Sequence, residues 1–525
     1  MAERIVALDR LSAAGVRAGA LAGHSITVLG LARSGIAMAR FFSDAGARVT
    51  VYDGRSASQL APAIESLGGR SVDLRLGADI DPASTWASAD LVATSPSINP
   101  DFPTAEPRLR TALAALVAAH RADPNGAPAL VSEPDLVLRM CPCPTIGVTG
   151  TKGKTTTSSL TAALLATDPA HPAVLGGNIG IPLIERLTEL TPEHRVVIEL
   201  SELQLPTLSR GTTVTVYTNV TSDHLDRHGS LEAYRSVKRR LADLVDPGGT
   251  LVLNADDPVV NAYALHATAP VVTYRRSGPA SGGLGVEDGW IVARGVKPVA
   301  SEGLSAAAAE SRERVRIMPI AELAIPGDHN VSNAMAAIAV ALLFGIAPEA
   351  IRPAAAAFTG VEHRLEAVGV VDGVRFINDS QGTQPDAVVA ALRAFPRPLV
   401  LIAGGRDKGV DLSGLGPVAA ERADAAILIG ESGPTLASLF KASGLARVEQ
   451  APTLEAAVER AESIARELLA RRNGATGSTV GPQATVLLSP AAASFDMFVD
   501  YAARGRAFRD AVAALAVRHR EAGPD

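Results

Sequence analysis

Short apolar runs rich in β-branched residues alternate along this chain with longer, alanine-rich stretches. The apolar runs end at glycine- or serine-rich turns, as buried strands do, and the alanine-rich stretches have the composition of helices. Strands that alternate with helices form parallel sheets covered by helices, because each parallel connection must cross back over the sheet. The pattern therefore predicts an α/β fold with functional residues at the carboxyl ends of the strands.

Three domains are predicted from this pattern. They are a Rossmann-like domain over residues 1–143, a central domain with a mostly parallel sheet over 144–360, and a Rossmann-like domain over 361–525. The predicted strands are 25–29, 48–53, 145–148, 196–199, 214–217, 251–254, 374–378, 399–403, 426–429 and 485–488. The other predicted features are a helix over 158–166, a helix through Lys238, a helix that starts at Asn333, a closing segment of the first domain at 133–144, and surface loops at 277–285 and 472–483.

A glycine loop follows the apolar run 145–148 and ends in Gly153-Lys154-Thr155. Such a loop between a strand and a helix binds nucleotide phosphates, because backbone N–H groups and the helix N-terminus face the anion. A lysine then reaches the outer phosphates and a hydroxyl ligates magnesium. The general P-loop pattern needs a glycine where this chain has Val148, so the loop is a shorter variant. It predicts ATP binding, with Lys154 on the phosphates and Thr155 on Mg²⁺, and so identifies 144–360 as a central P-loop ATPase domain.

Composition argues against several other classes of protein. The net charge of −6, with 20% charged residues, provides no basic surface for nucleic acid. The longest apolar run, 336–344, is too short to span a bilayer, and residues 1–10 lack the apolar core of a signal peptide. Cys141 and Cys143 suit reduced thiols in a linker better than a zinc site, which needs four ligands. We expect a cytoplasmic, monomeric enzyme without a nucleic-acid or membrane partner.

The first domain contains a second glycine turn. Residues 25–29 run into Gly30-Leu31-Ala32-Arg33-Ser34-Gly35, and the next predicted strand ends at Asp53, as in a dinucleotide site. The middle glycine of the dinucleotide fingerprint is missing, because position 32 is alanine. Three interpretations stay open from these residues: a nicotinamide site, a site for another nucleotide diphosphate, or a structural Rossmann-like domain.

Polar side chains follow two strands of the predicted central domain. Glu199 ends one strand, and Asp223-His224-Leu225-Asp226 follows the next. Because the carboxyl ends of parallel strands meet at one edge of a sheet, we expect these side chains beside the phosphate loop. A carboxylate and an imidazole there can ligate Mg²⁺ when substrate phosphates complete the coordination.

Together these motifs resemble the Mur ligases, ATP-dependent amide ligases that add amino acids to the UDP-linked muramoyl precursor of peptidoglycan. Residues 149–157 are similar to their ATP loop, and 176–180 to their turn beside the uridine-linked substrate. Further similar motifs are 328–333 and 363–364, which resemble the adenine- and phosphate-contacting motifs, and 378–380 and 404–409. The resemblance covers almost the whole chain.

The resemblance implies a role for each matching residue. The expected ATP-binding residues are Gly150, Thr151, Lys152, Gly153, Lys154, Thr155, Thr156, Asn330, Asn333, Arg364 and Asp379. Two Mg²⁺ sites are expected, with the ligands Thr155, Glu199, His224 and, once carbamylated, Lys238. The UDP-linked substrate is expected at Gly30, Arg33, Ser34, Gly35, Asp53, Asn178, Ser201 and Gln204. The expected catalytic residues are Lys154, His224 and Lys238.

The end of the chain indicates which amino acid is added. The Asp-Asn-Pro-Arg motif of the diaminopimelate- and lysine-adding Mur ligases does not occur, and 488–505 resembles the glutamate-adding branch. The substrates implied by this resemblance are UDP-N-acetylmuramoyl-L-alanine and D-glutamate. The expected glutamate-binding residues are Thr383, Lys408 and Ser494, with Tyr501 as a further substrate-binding residue. A positive charge and hydroxyls are what a dicarboxylate needs.

One departure from the family pattern leaves the stereochemistry of the glutamate open. The usual run Asn-Asp-Ser-Lys-Ala-Thr-Asn has Gln381 in place of its lysine in this chain. A hydrogen bond from a neutral donor contributes ~1 kcal/mol, whereas one from a charged donor contributes ~1.5–3 kcal/mol. Either Lys408 or Arg406 compensates for the missing charge, or glutamate binds in another pose, and L-glutamate is the alternative substrate.

The expected reaction passes through an acyl phosphate, formed when the substrate carboxylate attacks the γ-phosphate of ATP and consumed by the amine of glutamate. Because the three binding sites lie on three domains, we expect the third domain to close, with a hinge near Gly360. A nicotinamide oxidoreductase is the alternative from another enzyme class, and its cofactor binding would survive loss of Lys154. A folate polyglutamate ligase would not need the first domain, and a noncatalytic nucleotide-binding module is the remaining alternative.

Overall fold

Three sheets organise the part of the chain that the computed structural model describes, which is residues 5–100, 106–180, 182–221, 229–298, 314–325, 327–407, 412–476 and 484–522. The chain divides into two compact units, Met1–Phe358 and Thr359–Asp525. The first unit contains two of the sheets and the second unit contains the third. The predicted α/β class is confirmed.

The first sheet has five parallel strands in the order β3-β2-β1-β4-β5. Its strands are β1 (Ser25–Leu29), β2 (Arg48–Asp53), β3 (Val72–Leu76), β4 (Leu91–Thr94) and β5 (Leu130–Ser132). The helices of this region are α1 (Ala13–Arg17), α2 (Arg33–Asp44), α3 (Ala61–Glu65), α4 (Pro107–Ala122) and α5 (Glu133–Met140). The strand order reverses at β1, so its carboxyl end lies at a topological switch point, where α/β sheets bind ligands.

The central sheet has nine strands in the order β14-β13-β12-β11-β10-β9-β6-β8-β7. They are β6 (Thr145–Thr149), β7 (Ala173–Gly177), β8 (Arg195–Glu199), β9 (Val214–Tyr217), β10 (Thr250–Asn254), β11 (Val271–Tyr274), β12 (Gly283–Glu287), β13 (Trp290–Arg294) and β14 (Val315–Pro319). The helices are α6 (Lys154–Leu165), α7 (Leu231–Asp243), α8 (Pro258–Ala262), α9 (Asp328–Leu343) and α10 (Pro348–Ala357). Among these described strands, β13 is antiparallel to both of its neighbours, β12 and β14, and the other pairs are parallel. All five residues of β6 are buried, and β6 lies between β9 and β8, so the glycine loop starts from an interior strand of the sheet.

The first and central sheets share one apolar core. Val28 and Val51 of the first sheet belong to the same buried cluster as Val196 and Ile198 of β8. The two sheets therefore form one compact unit through packing as well as through the chain connection between them.

A buried carboxyl lies where these two sheets meet. Glu133 begins α5 and is 3% exposed, and its Oε1 accepts a hydrogen bond of 3.3 Å from the backbone N–H of Ile184. Burial raises the pKa of Glu133 to about 7, although the N–H of Ile184 and the charge of Arg33 act in the opposite direction. Glu133 therefore changes its charge near neutral pH at a junction between two sheets.

The third sheet lies in the second unit and has the order β15-β16-β20-β17-β18-β19. Its strands are β15 (Glu366–Val371), β16 (Val374–Asn378), β17 (Leu399–Gly404), β18 (Ala425–Ile429), β19 (Val448–Gln450) and β20 (Ala484–Leu488). Its helices are α11 (Pro385–Ala394), α12 (Leu415–Arg422), α13 (Gly433–Ala442), α14 (Leu454–Thr476) and α15 (Tyr501–Ala522). Only β15 is antiparallel to its neighbour among these strands. The carboxyl ends of β16, β20 and β17 therefore lie side by side.

Several predicted boundaries were wrong. Helix α6 begins four positions before the predicted start at residue 158, and α9 begins at Asp328 rather than Asn333. The predicted loop 277–285 ends inside β12, and the predicted loop 472–483 begins inside α14, with 477–483 outside the described residues. The predicted closing segment of the first domain, 133–144, contains helix α5, followed by the short connection 141–144 to β6. Among the described residues, we find no helix with the length and apolarity needed to cross a bilayer.

Candidate active site

The glycine loop between β6 and α6 has a backbone that only glycine fits at two positions. Gly150 has φ +148° and Gly153 has φ +86°. A Cβ atom at Gly150 would lie 2.0 Å from Thr218 Oγ1, and a Cβ atom at Gly153 would lie 2.4 Å from Asn333 Oδ1. The loop thus packs closely against its surroundings and presents its backbone at the start of α6, as a phosphate cradle requires.

The segment after β9 anchors this loop from one side. The backbone N–H of Thr151 donates to the carbonyl of Asn219 (2.8 Å), and the N–H of Lys152 donates to the Asn219 side chain (2.9 Å). Thr218 Oγ1 donates to the carbonyl of Lys152 (2.6 Å), and the hydroxyls of Thr151 and Tyr234 lie 2.9 Å apart. The positions Thr218, Asn219 and Tyr234 were not among the predicted site residues, because their role depends on contacts about 70 to 80 residues away in sequence.

The predicted phosphate-binding lysine folds back over the loop. Lys154 Nζ donates to the carbonyl oxygens of Gly150 (3.1 Å) and Thr151 (2.9 Å). Thr155 is buried at 6% exposure, Thr156 is half-buried, and Lys152 is exposed. The lysine charge is therefore held at the loop before any phosphate is bound.

Two asparagines of α9 contact the start of α6. Asn333 Oδ1 accepts from Thr157 Oγ1 (3.3 Å), and Asn333 Nδ2 donates to Asn330 Oδ1 (3.0 Å). Asn333 is buried, whereas Asn330 is half-buried. The structure thus brings both predicted asparagines to the phosphate loop.

Glu199 is a buried carboxylate with one unpaired oxygen. It is 1% exposed, and its Oε1 accepts from Asn178 Nδ2 at 2.9 Å. Its Oε2 is buried and has no hydrogen-bond partner among the described residues. A buried carboxylate oxygen without a partner is costly unless a cation or donor occupies the site. Glu199 therefore fits an Mg²⁺ ligand.

Lys238 is fully buried at the base of the glycine loop. Its Nζ donates to Gly150 O (3.0 Å) and Thr149 Oγ1 (3.3 Å) and lies 5.7 Å from the centre of the Tyr234 ring. Thr149 ends β6, whose Val148 pairs with Glu199 of β8. Lys238 and Glu199 thus approach the same edge of the central sheet from different elements.

Two further predicted substrate residues follow β8 closely. Gln204 Oε1 accepts from the backbone N–H (2.8 Å) and the hydroxyl (3.1 Å) of Ser201. Both side chains are buried. The structure therefore brings them together in a tight turn directly after Glu199.

The glycine turn of the first sheet is also closely packed. Gly30 has φ +85°, and a Cβ atom at Gly35 would lie 1.8 Å from the carbonyl oxygen of Gly30. Helix α2 begins at Arg33, followed by Ser34, so its N-terminus points at this turn. The Arg33 guanidinium donates to the carbonyls of Asn178 (3.3 Å) and Gly180 (3.2 Å). Arg33, Asn178 and Glu199 therefore form a continuous polar chain from the first sheet to the central sheet.

Asp53 organises this turn and holds an arginine that sequence reasoning missed. Asp53 Oδ2 accepts from the N–H of Leu31 (2.9 Å) and from Arg55 Nη2 (2.8 Å), and its Oδ1 accepts from Arg55 Nε (3.0 Å). Burial raises the pKa of Asp53, but the hydrogen bonds from Arg55 and Leu31 outweigh it and hold the pKa below its usual value. Because Arg55 occupies both carboxylate oxygens, Asp53 is poorly suited to bind a nicotinamide ribose.

Asp379 lies after β16 in the second unit. It is 5% exposed, with Oδ2 accepting from Ser489 Oγ (2.6 Å) and Oδ1 from the N–H of Leu365 (3.2 Å). Burial raises the pKa of Asp379 to about 6, while Ser489, Leu365 and the charge of Arg364 act against the rise. Arg364 is exposed and directly precedes Leu365, whose N–H bonds Asp379, so the structure brings these two predicted ATP-binding residues close together.

The altered stretch around Gln381 is held by its own neighbours. Gln381 Nε2 donates to the carbonyl of Glu362 (3.2 Å), and its backbone N–H donates to the carbonyl of His363 (2.9 Å). Thr383, two residues on, is half-buried, and Tyr501 is 37% exposed with its ring 6.4 Å from the His363 ring. Gln381 therefore has a local structural role where the family has a lysine.

A buried arginine connects the two loops that carry the predicted glutamate-binding residues. Arg504 is 1% exposed and donates to Ser380 Oγ (3.0 Å), to Ser380 O (3.0 Å) and to the carbonyls of Ala492 and Ala493. Burial lowers the pKa of Arg504 to about 10. Ser494, which is buried, follows Ala493, and Arg406 pairs with Ala493 in an antiparallel bridge. Arg406 and Ser494 are thus close in the fold.

The predicted residues His224 and Lys408 lie outside the described residues, and so do Asp223 and Asp226 beside His224. Among the residues that are described, no group of three or more His, Cys, Asp or Glu side chains lies close enough together to hold a metal ion.

Comparison with known proteins places these features in a family. Residues 24–119 match the Mur ligase MurD-like N-terminal domain, 148–341 match the Mur ligase middle domain, and 363–469 match the Mur ligase glutamate ligase domain.

Curated relatives match nearly the whole chain. A UDP-N-acetylmuramoylalanine–D-glutamate ligase of Symbiobacterium thermophilum is 38% identical over 93% of this chain and 97% of the relative. An enzyme of the same name from Acidobacterium capsulatum is 35% identical over 94% of this chain and 97% of the relative. The chain therefore belongs to the Mur ligase family.

Proposed function

We propose that this protein is an ATP-dependent amide ligase that joins D-glutamate to UDP-N-acetylmuramoyl-L-alanine. The observation that carries the proposal is the glycine loop with Lys154, which follows the strand that pairs with Glu199, together with the buried Glu199 Oε2, which has no hydrogen-bond partner in the described part of the chain. Relatives at 35–38% identity with the D-glutamate ligase name support the choice of substrate. ATP is then the phosphate donor, as the family implies.

The phosphates of ATP are proposed to bind along the backbone of the glycine loop. Lys154 would exchange its contacts with Gly150 and Thr151 for contacts with the outer phosphates. Asn330, Asn333, Arg364 and Asp379 remain proposed contacts of the nucleotide.

Two Mg²⁺ sites are proposed, held by Thr155, Glu199, His224 and a carbamylated Lys238. Bound Mg²⁺ would neutralise negative charge on the phosphates and the substrate carboxylate. The unpaired Glu199 Oε2 supports one such site. A carbamate on Lys238 would convert a buried cation into an anion beside that edge of the sheet.

The uridine-linked substrate is proposed to bind to residues 1–143. A Cβ atom at Gly35 would meet the carbonyl oxygen of Gly30, so the turn is compact enough for a diphosphate to approach the N-terminus of α2. Arg33 and Asn178 would align the substrate, because their mutual contact bridges the first and central sheets. Residues 144–360 would form the central ATP-binding domain, and residues 361–525 would bind glutamate and also contact ATP.

Glutamate is proposed to bind through Thr383, Lys408 and Ser494. Because Gln381 is engaged by Glu362, we infer that Arg406 or Lys408 supplies the charge that the family lysine provides. L-glutamate remains the second candidate substrate, because Gln381 stands where the family has a lysine. We also propose that the enzyme is a monomer and that it acts in the cytoplasm.

The proposed chemistry is positioning and charge stabilisation. The carboxylate of UDP-N-acetylmuramoyl-L-alanine attacks the γ-phosphorus of ATP, and the bond to ADP breaks while Lys154 stabilises the charge on the phosphate oxygens. The amine of glutamate then attacks the acyl carbon, loses a proton, and expels inorganic phosphate. The products are the amide, ADP and inorganic phosphate.

The test is phosphate release by the purified protein with ATP, Mg²⁺ and UDP-N-acetylmuramoyl-L-alanine. Parallel reactions contain D-glutamate, L-glutamate or no amino acid. Phosphate release with D-glutamate alone supports the proposal. Phosphate release with L-glutamate alone supports the second candidate, a ligase that adds L-glutamate. Absence of release with either amino acid contradicts the ligase function.

Lys154→Ala tests the phosphate site separately. We expect it to abolish phosphate release without changing the far-ultraviolet circular dichroism spectrum, because Lys154 is the first residue of α6 and its side chain bonds the loop carbonyls of Gly150 and Thr151. Lys441→Ala, at an exposed lysine of α13, is the matched control and should retain activity. Substrate-dependent release by Lys154→Ala would show that the ATP site is assigned wrongly.

A further inference from the structure

The chain has two cysteines, and the fold holds them together. Cys141 and Cys143 are free thiols whose Sγ atoms lie 3.4 Å apart. A disulfide bond has an S–S length of about 2.0 Å, so the sulfurs need to approach by about 1.4 Å. Rotation about the Cα–Cβ bonds moves a sulfur by that amount without unfolding the chain.

Both thiols are accessible and chemically distinct. Each cysteine is partly exposed, so a small reagent can reach it. The hydrogen bond between the two thiols lowers the pKa of Cys141 and raises the pKa of Cys143. A thiolate is the attacking species in thiol–disulfide exchange, so Cys141 is the better nucleophile and Cys143 the resolving thiol.

A structural metal explains this pair poorly. Zinc sites use four protein ligands, and no group of three His, Cys, Asp or Glu side chains lies together in the part of the chain that the structure describes. The pair is therefore better explained by chemistry between the two sulfurs.

We propose that Cys141 and Cys143 are a reversible oxidation site, which forms an intramolecular disulfide by exchange with a low-molecular-weight disulfide such as oxidised glutathione. The Cys141 thiolate attacks one sulfur of the reagent, and the first glutathione leaves as its thiol. Cys143, as its thiolate, then attacks Cys141 Sγ and expels the second glutathione. Two protein thiols lose two electrons and two protons, and one oxidised glutathione becomes two reduced molecules.

The site lies on the connection between the first and central sheets. Cys141 follows α5, with its N–H bonded to Val137 O at 2.8 Å, and Cys143 precedes β6 by two residues. Both side chains pack against the apolar core that the two sheets share. The disulfide would therefore fix the connection that leads into the strand carrying the phosphate loop. This inference does not depend on the proposed ligase activity.

The test is a glutathione redox titration of the full-length native protein. After acid quenching and alkylation, trypsin releases residues 140–152 as one peptide with both cysteines, because cleavage follows Arg139 and Lys152. We expect this peptide to lose two hydrogen atoms in mass, to resist alkylation, and to recover both thiols after dithiothreitol. The disulfide should form at a lower ratio of oxidised to reduced glutathione in the native protein than in protein unfolded by urea, because the fold holds the sulfurs together.

Single variants separate the two roles. Cys143→Ser should trap a mixed disulfide of Cys141 with glutathione, and Cys141→Ser should form its adduct more slowly. Persistent alkylation of both cysteines in the oxidised native protein would overturn the proposal. So would a disulfide that forms equally readily in urea, because the fold would then contribute nothing.

Discussion

Replacing Glu133 with glutamine tests whether a buried carboxyl makes the first unit sensitive to pH. The unfolded carboxyl ionises near pH 4.5 and the folded one near pH 7, because burial disfavours its charge. Between these values the folded protein holds a proton that the unfolded chain has lost. The contribution of Glu133 to the free energy of unfolding is therefore greatest below about pH 4.5 and decreases as the pH rises towards 7. Above pH 7 it does not change further.

The magnitude follows from the two pKa values. Their difference, 7 minus 4.5, corresponds to about 3 kcal/mol at 1.36 kcal/mol per pKa unit. About 1 kcal/mol of this is already lost at pH 5, and nearly all of it at pH 8. Glutamine has a similar shape and no charge, so Glu133→Gln should gain about 2–3 kcal/mol relative to the wild type between pH 5 and pH 8.

Urea unfolding followed by tryptophan fluorescence measures this difference, because both tryptophans, Trp86 and Trp290, belong to the unit Met1–Phe358. Glu65→Gln, at an exposed glutamate of the same unit, is the matched control for the substitution itself. If the stability difference between Glu133→Gln and the wild type were the same at pH 5 and pH 8, the carboxyl would not be shifted and the reasoning would fail.

Three further substitutions test the candidate site. Gly153→Ala should weaken ATP binding at least tenfold, about 1.4 kcal/mol, because the Cβ atom of the alanine would lie 2.4 Å from Asn333 Oδ1. An unchanged affinity for ATP in titration calorimetry would contradict this prediction. Arg33→Ala should raise the KM for the uridine-linked substrate but not the KM for ATP, because the variant loses the contacts of the arginine with the carbonyls of Asn178 and Gly180. Steady-state kinetics with each substrate varied in turn measure the two KM values. Arg504→Met should raise the KM for glutamate and lower the Tm of the second unit, because it leaves buried carbonyl oxygens unpaired at a cost of about 1–3 kcal/mol each. An unchanged Tm in calorimetry would contradict this prediction.

The sequence was informative wherever a strand is buried on both faces. The strands β6, β8, β9 and β10 read as continuous apolar runs, and the structure has them within one residue of the predicted bounds. The missed strands, such as β3, alternate half-buried and exposed residues, so their pattern is weak. Helix α6 was predicted to start late, because three threonines with modest helix propensity follow Lys154. The contacts of the glycine loop and of Thr157 with Asn219 and Asn333 outweigh that low helix propensity.

The site was predictable only as far as local motifs extend. The glycine loop and Glu199 could be found from neighbouring residues, because strand ends and glycine turns are local patterns. Arg504 could be matched to a motif, yet its function of connecting Ser380 to Ala492 requires contacts over 124 residues of sequence. Arg55 carries no pattern of its own and became visible only through its contact with Asp53. Long-range pairs of this kind need the fold.

The apolar core shared by the first and central sheets has a consequence for synthesis on the ribosome. Residues of α1 and α2 in this core pack with Leu183, Leu187 and Leu208, which are translated later. A nascent chain of about 140 residues would therefore expose apolar surface that its own sheet cannot cover. Chaperones should hold this segment until the central sheet emerges, and a gene truncated after residue 143 should give insoluble product, unlike one truncated after Phe358.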